Sequence, residues 1–227
     1  MINTTKKKVM DVDLDLLKTM SIDLATKIET QGYIPEHILY VERAGILIAY
    51  EMSKCFNRPV SGITSSRSGN DFKSSLKSIL RLLPRFITHF LRRLELGSSI
   101  HNVNSKRRVV CQKPLPPENK KILVVDDALD TGHSMVAVLN WLERHDYDMS
   151  FVKTAVLTTT GKIHHIPASY TLLDNTICAF PWSYDSRQYK ETKLKMAAVR
   201  SRITKNAAST TINYGHTIPG PIGLTQV

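Results

Sequence analysis

The sequence has few cysteines and no long apolar segment. Cys55, Cys111 and Cys178 are the three cysteines among 227 residues, and no two of them have the Cys-x-x-Cys spacing of a zinc site. The first eight residues, Met-Ile-Asn-Thr-Thr-Lys-Lys-Lys, lack the apolar core of a secretion signal. No apolar run approaches the roughly 18 residues that a transmembrane helix needs. We therefore expect a soluble, cytoplasmic protein without disulfide bonds or a transmembrane segment.

Length and composition fit one folded domain with a large insertion. The 227 residues are 42% hydrophobic, enough to bury one α/β core, so residues 1–227 are assigned to a single domain. The 31 Lys and Arg against 20 Asp and Glu give a net charge of +11, much of it in residues 65–120. A basic helical pattern covers residues 190–203. Residues 206–227 contain several Gly and Pro without periodicity, which predicts a flexible C-terminal tail.

Residues 121–135 carry the strongest signal in the chain. Residues 122–125 are uniformly apolar and largely β-branched, which predicts a strand buried on both faces of a parallel sheet. Two acids end this strand, and small residues with a permissive backbone follow before an apolar helix pattern begins. The residues concerned are Asp126, Asp127, Thr131, Gly132, Ser134 and Met135. This order predicts an anion-binding turn at a helix N-terminus.

The chemistry of this turn suits a 5-phosphorylated ribose. Backbone amides and hydroxyls can hold a phosphate, and adjacent carboxylates can accept hydrogen bonds from neighbouring ribose hydroxyls. The Gly-x4-Gly-Lys-Ser/Thr pattern of a P-loop is absent. An acidic loop with an ordinary helix N-cap would explain one acid and one hydroxyl residue, but not the whole ordered string.

A strand–helix–strand unit precedes this motif. After a first helix over residues 13–28, two parallel strands are predicted over residues 38–41 and 59–64, with a helix over residues 46–55 making a right-handed crossover. The turn Glu42-Arg43-Ala44-Gly45 before that helix places a cation beside small residues. Such a turn can bind a second phosphate group.

A third landmark lies near the end of the expected sheet. Residues 152–160 are predicted as a strand, and after a polar connection residues 174–182 contain a second, apolar strand that ends in Phe180-Pro181-Trp182. Aromatic residues at this place serve either in core packing or in a ligand site.

Together these three segments resemble the type I phosphoribosyltransferases. The strand, its two acids and the Thr-Gly match the family's motif for 5-phosphoribosyl-1-pyrophosphate (PRPP), and Arg-Ala-Gly matches its pyrophosphate turn. The Phe-Pro-Trp turn is similar to that of the 6-oxopurine branch, the hypoxanthine, guanine and xanthine phosphoribosyltransferases. The resemblance covers roughly residues 11–64 and 109–190. It implies a Rossmann-like α/β fold with a central, mainly parallel sheet flanked by helices, and a ligand at the carboxyl ends of the strands.

The same resemblance implies transfer of a 5-phosphoribosyl group from PRPP to a purine or purine-like base with release of pyrophosphate, as in purine salvage, by a homodimer. Mg²⁺ is the implied cofactor, held mainly by PRPP oxygens and indirectly, via PRPP and water, by Asp126 and Asp127. Asp130 would exchange a proton with the base. The implied PRPP-binding residues are Asp126, Asp127, Ala128, Leu129, Asp130, Thr131, Gly132, His133 and Ser134, and the pyrophosphate-binding residues are Arg43, Ala44 and Gly45.

The base side departs from the pattern of this branch. Thr158 stands where a lysine usually reads the purine 6-oxygen, and the nearest lysine, Lys162, is displaced past Gly161. Ile177 replaces an aromatic that stacks on the base, and Ser183 replaces an acid. Changed hydrogen-bonding groups alter specificity strongly, so we expect an acceptor other than an ordinary 6-oxopurine. The expected base-binding residues are Thr158, Lys162, Ile177, Cys178 and Trp182.

Residues 65–120 form a basic insertion where the family usually has a short loop over the active site. Basic residues recur every four positions from Lys73 to His89 with apolar residues opposite, which predicts a helical hood that Pro84 divides. Such a hood can pack on the domain or a second subunit, lie on a membrane surface or bind nucleic acid.

Two functions other than transfer stay open. One is a PRPP-sensing regulator without transferase activity that binds RNA through its basic surface, as the pyrimidine-operon attenuation proteins of this family do. The other is a non-enzymatic module whose basic hood binds a protein or a membrane. Stoichiometric PRPP binding without pyrophosphate release would favour either of them over an enzyme.

Overall fold

Two β-sheets and four α-helices make up the described part of the chain. The computed structural model describes residues 8–67, 107–112, 116, 118–160 and 168–213. The strands are β1 (Lys8–Asp11), β2 (His37–Glu42), β3 (Val60–Arg67), β4 (Arg107–Cys111), β5 (Ile122–Leu129), β6 (Val152–Thr159), β7 (Tyr170–Leu173) and β8 (Thr176–Ala179). The helices are α1 (Leu14–Thr30), α2 (Gly45–Phe56), α3 (His133–Glu143) and α4 (Tyr189–Asn213), with a 3-10 turn at Met149–Phe151.

The larger sheet has six strands in the order β4-β3-β2-β5-β6-β7. The strands from β3 to β7 in this order run parallel, and β4 pairs antiparallel with β3 at one edge. β1 and β8 form a separate parallel pair. This topology confirms the α/β class with a central, mainly parallel sheet, and the helices α1, α2 and α3 pack on it.

Side chains on both faces of the central strands are buried, because helices cover both sides of the sheet. Ile38 and Tyr40 of β2 share one core cluster with Leu123 and Val125 of β5, and residues of α1 and α2 complete it. The alternate residues of both strands belong to a second cluster with α3. The uniformly apolar run at residues 122–125 thus fills two cores at once.

β5 is longer than the sequence predicted. It ends at Leu129 rather than at residue 125, so Asp126 and Asp127 lie within the strand and not after it. The reason is that β6 reaches equally far and pairs with β5 up to Leu129 and Thr159, which keeps the backbone extended. The helices α1 and α2 and the strands β2 and β6 agree with the predictions to within two residues.

The ends of the insertion at residues 65–120 are strands rather than parts of a helical hood. β3 continues to Arg67, and β4 returns beside it as an antiparallel edge strand. Val109 packs against a core cluster while Val110 is 49% exposed, the alternation expected at a sheet edge. The basic pattern at residues 68–106 lies outside the described residues, so the hood itself stays a prediction.

α4 ends at Asn213, so residues 206–213 are helical. The prediction that the flexible tail begins at residue 206 was therefore wrong. No Gly or Pro interrupts the sequence between residues 190 and 213, and such residues begin only at Gly215. Residues 214–227 lie outside the described part. In the part of the chain that the structure describes, no helix is long and apolar enough to cross a membrane.

Gly45, the first residue of α2, lies against the end of β5. A Cβ atom here would be 2.6 Å from the carbonyl oxygen of Val125 and 3.3 Å from the Cβ of Tyr40. Both neighbours belong to buried strands, which cannot move without repacking the core. The missing side chain therefore lets α2 begin directly beside the residue that precedes Asp126.

Gly45→Ala should lower the free energy of unfolding by about 1–3 kcal/mol, the usual cost of overpacking a core. The added methyl group meets a backbone oxygen atom, which cannot rotate away as a flexible side chain can. Urea denaturation of parent and variant measures this difference. Equal stability of the two proteins would show that α2 and β5 can separate without cost.

Candidate active site

The carboxyl ends of β2, β5 and β6 meet at one edge of the sheet. The parallel pairing joins Tyr40 of β2 to Val125 of β5, and Leu129 of β5 to Thr159 of β6. The segments that leave these three strands therefore start beside one another. This edge is where open α/β sheets bind their ligands.

The loop after β5 enters α3 through a glycine in the left-handed region. Gly132 has a φ of 77° and caps α3, and its carbonyl accepts a hydrogen bond of 2.9 Å from the Val136 N–H. Within the same loop, His133 Nδ1 and Thr131 Oγ1 are 2.7 Å apart. This turn brings the N-terminus of α3, with its partial positive charge, to the edge where β5 ends.

Each of the two acids of β5 accepts a hydrogen bond from the backbone N–H of the next residue. The Asp127 N–H donates to Asp126 Oδ1 at 2.9 Å, and the Ala128 N–H donates to Asp127 Oδ1 at 2.8 Å. The indole N–H of Trp182 donates to the second oxygen of Asp127 at 3.2 Å. Burial raises the pKa of Asp127, and these hydrogen bonds oppose the rise. The aromatic turn after β8 thus orients one of the two carboxylates.

Asp130 lies next to the end of β6. The hydroxyl of Thr160 donates to Asp130 Oδ1 at 3.1 Å, and the N–H of Thr160 donates to the Leu129 carbonyl at 3.0 Å. The sequence does not indicate this role of Thr160, because nothing distinguishes it from the two threonines that precede it. The contact puts Asp130 between the loop after β5 and the end of β6.

The turn after β2 joins directly to α2. Arg43 is exposed, Ala44 is half-buried and Gly45 is buried against β5. The two small residues leave space for an anion beside the turn. The exposed guanidinium can donate two parallel hydrogen bonds to the oxygens of a phosphate group.

Thr158 and Ile177 of the expected base side are buried in the fold. The hydroxyl of Thr158 donates to the carbonyl of Thr176 in β8 at 2.6 Å, and the side chain has no exposed surface. Ile177 is 7% exposed. In this arrangement Thr158 links β6 to β8, and contact with a base would require that link to open.

The other expected base-side residues differ in surroundings. Trp182 stacks on Phe180 with 4.8 Å between the ring centroids. Burial raises the pKa of Cys178 to about 11, so this thiol is neutral at pH 7. Lys162 lies outside the described residues. The structure thus joins Trp182 to Asp127 of β5, a contact that no sequence pattern indicated.

A cavity of about 510 Å³ opens beyond the ends of β1 and β8. It shares Phe180 and Ser183 with the aromatic turn, and no residue of the loop after β5 or of the turn after β2 lines it. Three of its lining side chains are carboxylates, Asp11, Asp13 and Asp185, against one cation, Arg187, so the net negative charge disfavours a phosphate group. It is therefore distinct from the edge at which the loop after β5 and the turn after β2 meet.

The chain belongs to the phosphoribosyltransferase family. A family model of the phosphoribosyl transferase domain matches residues 15–184, a range that contains the turn after β2, both acids of β5, the loop before α3 and the aromatic turn. The match confirms the resemblance seen in the sequence. No curated protein sequence matches the chain.

Solved structures share the fold at low sequence identity. A xanthine-guanine-hypoxanthine phosphoribosyltransferase from Helicobacter pylori is 19% identical, with a TM-score of 0.55 over 82% of this chain and 98% of that one. A hypothetical protein from Neisseria gonorrhoeae with bound ppGpp is 20% identical, with a TM-score of 0.54 over 85% and 98%. A purine phosphoribosyltransferase from Pyrococcus horikoshii is 17% identical, with a TM-score of 0.52 over 78% and 94%. Similarity at this level shows the type I fold alone.

Trp182→Phe should raise the pKa of Asp127 further, because the lost indole N–H stabilises the ionised carboxylate. A pH titration of the aspartate carboxyl carbons by ¹³C NMR measures the shift. Trp141→Phe is the matched control, because Trp141 of α3 stacks on His145, which follows that helix, whereas the indole that donates to Asp127 is that of Trp182.

The hydrogen bond between Trp182 and Asp127 should also affect how the free energy of unfolding depends on pH. With its raised pKa, Asp127 binds a proton more readily in the folded than in the unfolded chain, so this group stabilises the fold at low pH. Its contribution is lost as pH rises through the folded-state pKa. In Trp182→Phe this loss should extend to higher pH, and an Asp127 titration unchanged from the parent would contradict the role of the indole.

Proposed function

We propose that the protein transfers the 5-phosphoribosyl group of PRPP to a ring nitrogen of a purine or purine-like base and releases pyrophosphate, as a pentosyltransferase. The observation that carries the proposal is the meeting of an Arg-Ala-Gly turn with an acidic strand and a phosphate loop at one sheet edge. The pairing of Tyr40 with Val125 and the close approach of Gly45 to β5 hold these segments together. A PRPP molecule has its ribose between two phosphate-bearing ends, which this arrangement matches.

In this proposal each segment binds one part of PRPP. Asp126 and Asp127 accept hydrogen bonds from the ribose hydroxyls, residues 128–134 bind the 5-phosphate, and residues 43–45 bind pyrophosphate. The transition state carries positive charge at C1 of the ribose as the bond to pyrophosphate breaks. The protein then acts mainly by aligning base and ribose, neutralising the leaving pyrophosphate and excluding water.

The donor set fits Mg²⁺ held through the substrate. Within the described residues, no group of three or more His, Cys, Asp or Glu is placed to hold a metal ion alone. Asp126 and Asp127 supply hard oxygen donors that suit an ion whose remaining ligands are PRPP oxygens and water. When bound, the ion would neutralise charge on the departing pyrophosphate.

Asp130 is the proposed proton carrier. Its carboxylate accepts a hydrogen bond from Thr160, which orients it, and a carboxylate can accept a proton from the base nitrogen as the new bond forms. Its place after β5 and beside β6 suits a group that faces both the ribose and the base.

Asp130→Asn should lower turnover by about 10²–10⁴-fold, the usual range for a general acid–base group, because an amide cannot take the proton. PRPP affinity should change far less. Steady-state kinetics and calorimetry separate the two effects. Asp148→Asn is the control, since Asp148 caps the 3-10 turn at the opposite, amino end of β6. Parent-like turnover in Asp130→Asn would reduce Asp130 to a structural loop residue.

The function is tested by pyrophosphate release from PRPP with a panel of purines, pyrimidines and unusual bases. Guanine and hypoxanthine should be poor acceptors, because Thr158, Ile177 and Ser183 replace the lysine, aromatic and acid of the 6-oxopurine branch. At least one other base should release pyrophosphate in proportion to the nucleotide formed. Efficient transfer to guanine or hypoxanthine would contradict the changed specificity.

A PRPP-sensing, RNA-binding regulator is the alternative, and the net charge of +11 favours it. It predicts stoichiometric PRPP binding, no pyrophosphate release with any base, and RNA affinity that weakens steeply with salt. The basic pattern that would carry the RNA lies outside the described residues. The homodimer likewise stays a prediction, which analytical ultracentrifugation tests.

A further inference from the structure

Glu42 is a nearly buried carboxylate beside the turn assigned to pyrophosphate. It is the last residue of β2, it directly precedes Arg43, and its side chain is 8% exposed. An acid beside a pyrophosphate site needs an explanation, because its charge has the same sign as the ligand. An unpaired carboxylate at this depth would also destabilise the fold.

Three residues provide partners for this carboxylate. Arg200 of α4 donates from Nη2 to Glu42 Oε2 at 2.7 Å, and Gln112, directly after β4, donates from Nε2 to Glu42 Oε1 at 2.7 Å. The hydroxyl of Tyr40 lies 3.4 Å from the same Oε1. Burial raises the pKa of Tyr40 to about 12, so this hydroxyl stays a neutral donor. Both oxygens of Glu42 are therefore held from separate parts of the fold.

α4 reaches Glu42 because its apolar face docks on the domain. Val199 is buried in the main core cluster, and Met196 and Ile203 pack against it one turn before and after. On the same helix, Arg202 donates to the hydroxyl of Tyr50 in α2 at 3.1 Å. Arg200 itself is 45% exposed, so its position depends on the docked helix and on Glu42.

We propose that Glu42 and Arg200 are positioning residues for pyrophosphate. Glu42 fixes the start of the turn that presents Arg43, and Arg200 neutralises the charge of Glu42. Without Arg200, the carboxylate would repel the anion and compete with it for Arg43. The C-terminal helix thereby sets the affinity of the pyrophosphate half of the site. This inference rests on the proposed function. Neither Glu42 nor Arg200 is among the residues proposed there to bind PRPP.

The test uses the two halves of PRPP as separate probes. Arg200→Met keeps the apolar part of the side chain and removes the charge. By calorimetry, its affinity for pyrophosphate with Mg²⁺ should fall about tenfold or more, as for the loss of one partner of a charged pair. Its affinity for ribose 5-phosphate should change by less than about twofold, because the loop after β5 binds that end. In turnover, KM for PRPP should rise more than kcat falls.

Arg202→Met is the matched control, because it removes the same charge from the same helix without touching Glu42. It should bind both probes like the parent protein. Arg200→Lys should recover part of the pyrophosphate affinity, because a cation returns without the guanidinium geometry. Circular dichroism and thermal unfolding verify that every variant is folded.

A double-mutant cycle distinguishes neutralisation of the Glu42 charge by Arg200 from a packing effect of the Arg200 side chain. In a Glu42→Gln background there is no carboxylate to neutralise, so Arg200→Met should cost less than about threefold in pyrophosphate affinity. If instead Arg200→Met weakens binding equally in both backgrounds, matches Arg202→Met, or weakens ribose 5-phosphate to the same extent, the positioning role is wrong and the proposed function stands. A parent protein that binds neither probe overturns the proposed function and this inference with it.

Discussion

The parallel register of β2, β5 and β6 is the constraint on which the site depends. Each strand buries side chains on both faces, so a slip by one residue would exchange the two sets of core contacts. The register fixes where each strand ends, and the ends carry the turn at residues 43–45, the loop at residues 130–132 and Thr160. Gly45 adds a second constraint, because the carbonyl of Val125 occupies the space of a side chain. Geometry that the core enforces thus decides which functional groups can act together.

In the proposed complex, the edge of the sheet would hold anionic ligands next to several protein carboxylates, and each of the following three carboxylates has its own donor. Trp182 donates to Asp127, Thr160 donates to Asp130, and Arg200 donates to Glu42. The donors come from three separate segments of the chain, and each follows its acid in the sequence. Such pairing limits repulsion between protein and phosphate, while the helix N-terminus and Arg43 supply attraction. The later part of the chain therefore tunes the site that the earlier strands build.

Much of the fold and the central motif could be predicted from sequence, because both depend on local order. The apolar run at residues 122–125 and the acids after it need no knowledge of distant residues, and the same holds for the small-residue turn at residues 43–45. The extension of β5 to Leu129 could not be read locally, since its cause is the length of β6.

The long-range contacts of the site could not be predicted from the sequence. Glu42 and Arg200 are 158 residues apart, and Asp127 and Trp182 are 55 apart, so no spacing rule connects them. Trp182 was predicted for the base side, yet its indole N–H is bonded to a carboxylate of β5. Thr158 was chosen by position in the motif, whereas its burial depends on where β8 lies. Side-chain direction and partner choice follow from packing, which a motif does not encode.

Chemical-shift mapping with the separate halves of PRPP tests most directly whether one sheet edge binds the whole ligand. With backbone amides assigned by NMR, ribose 5-phosphate should shift the amides of residues 126–134, and pyrophosphate with Mg²⁺ should shift those of residues 43–45. PRPP should shift both sets of amides, and both sets should saturate at the same PRPP concentration. Competition of the two probes for one set of residues, or PRPP-induced shifts around the cavity beyond β1 and β8 instead, would show that this edge does not bind the whole ligand.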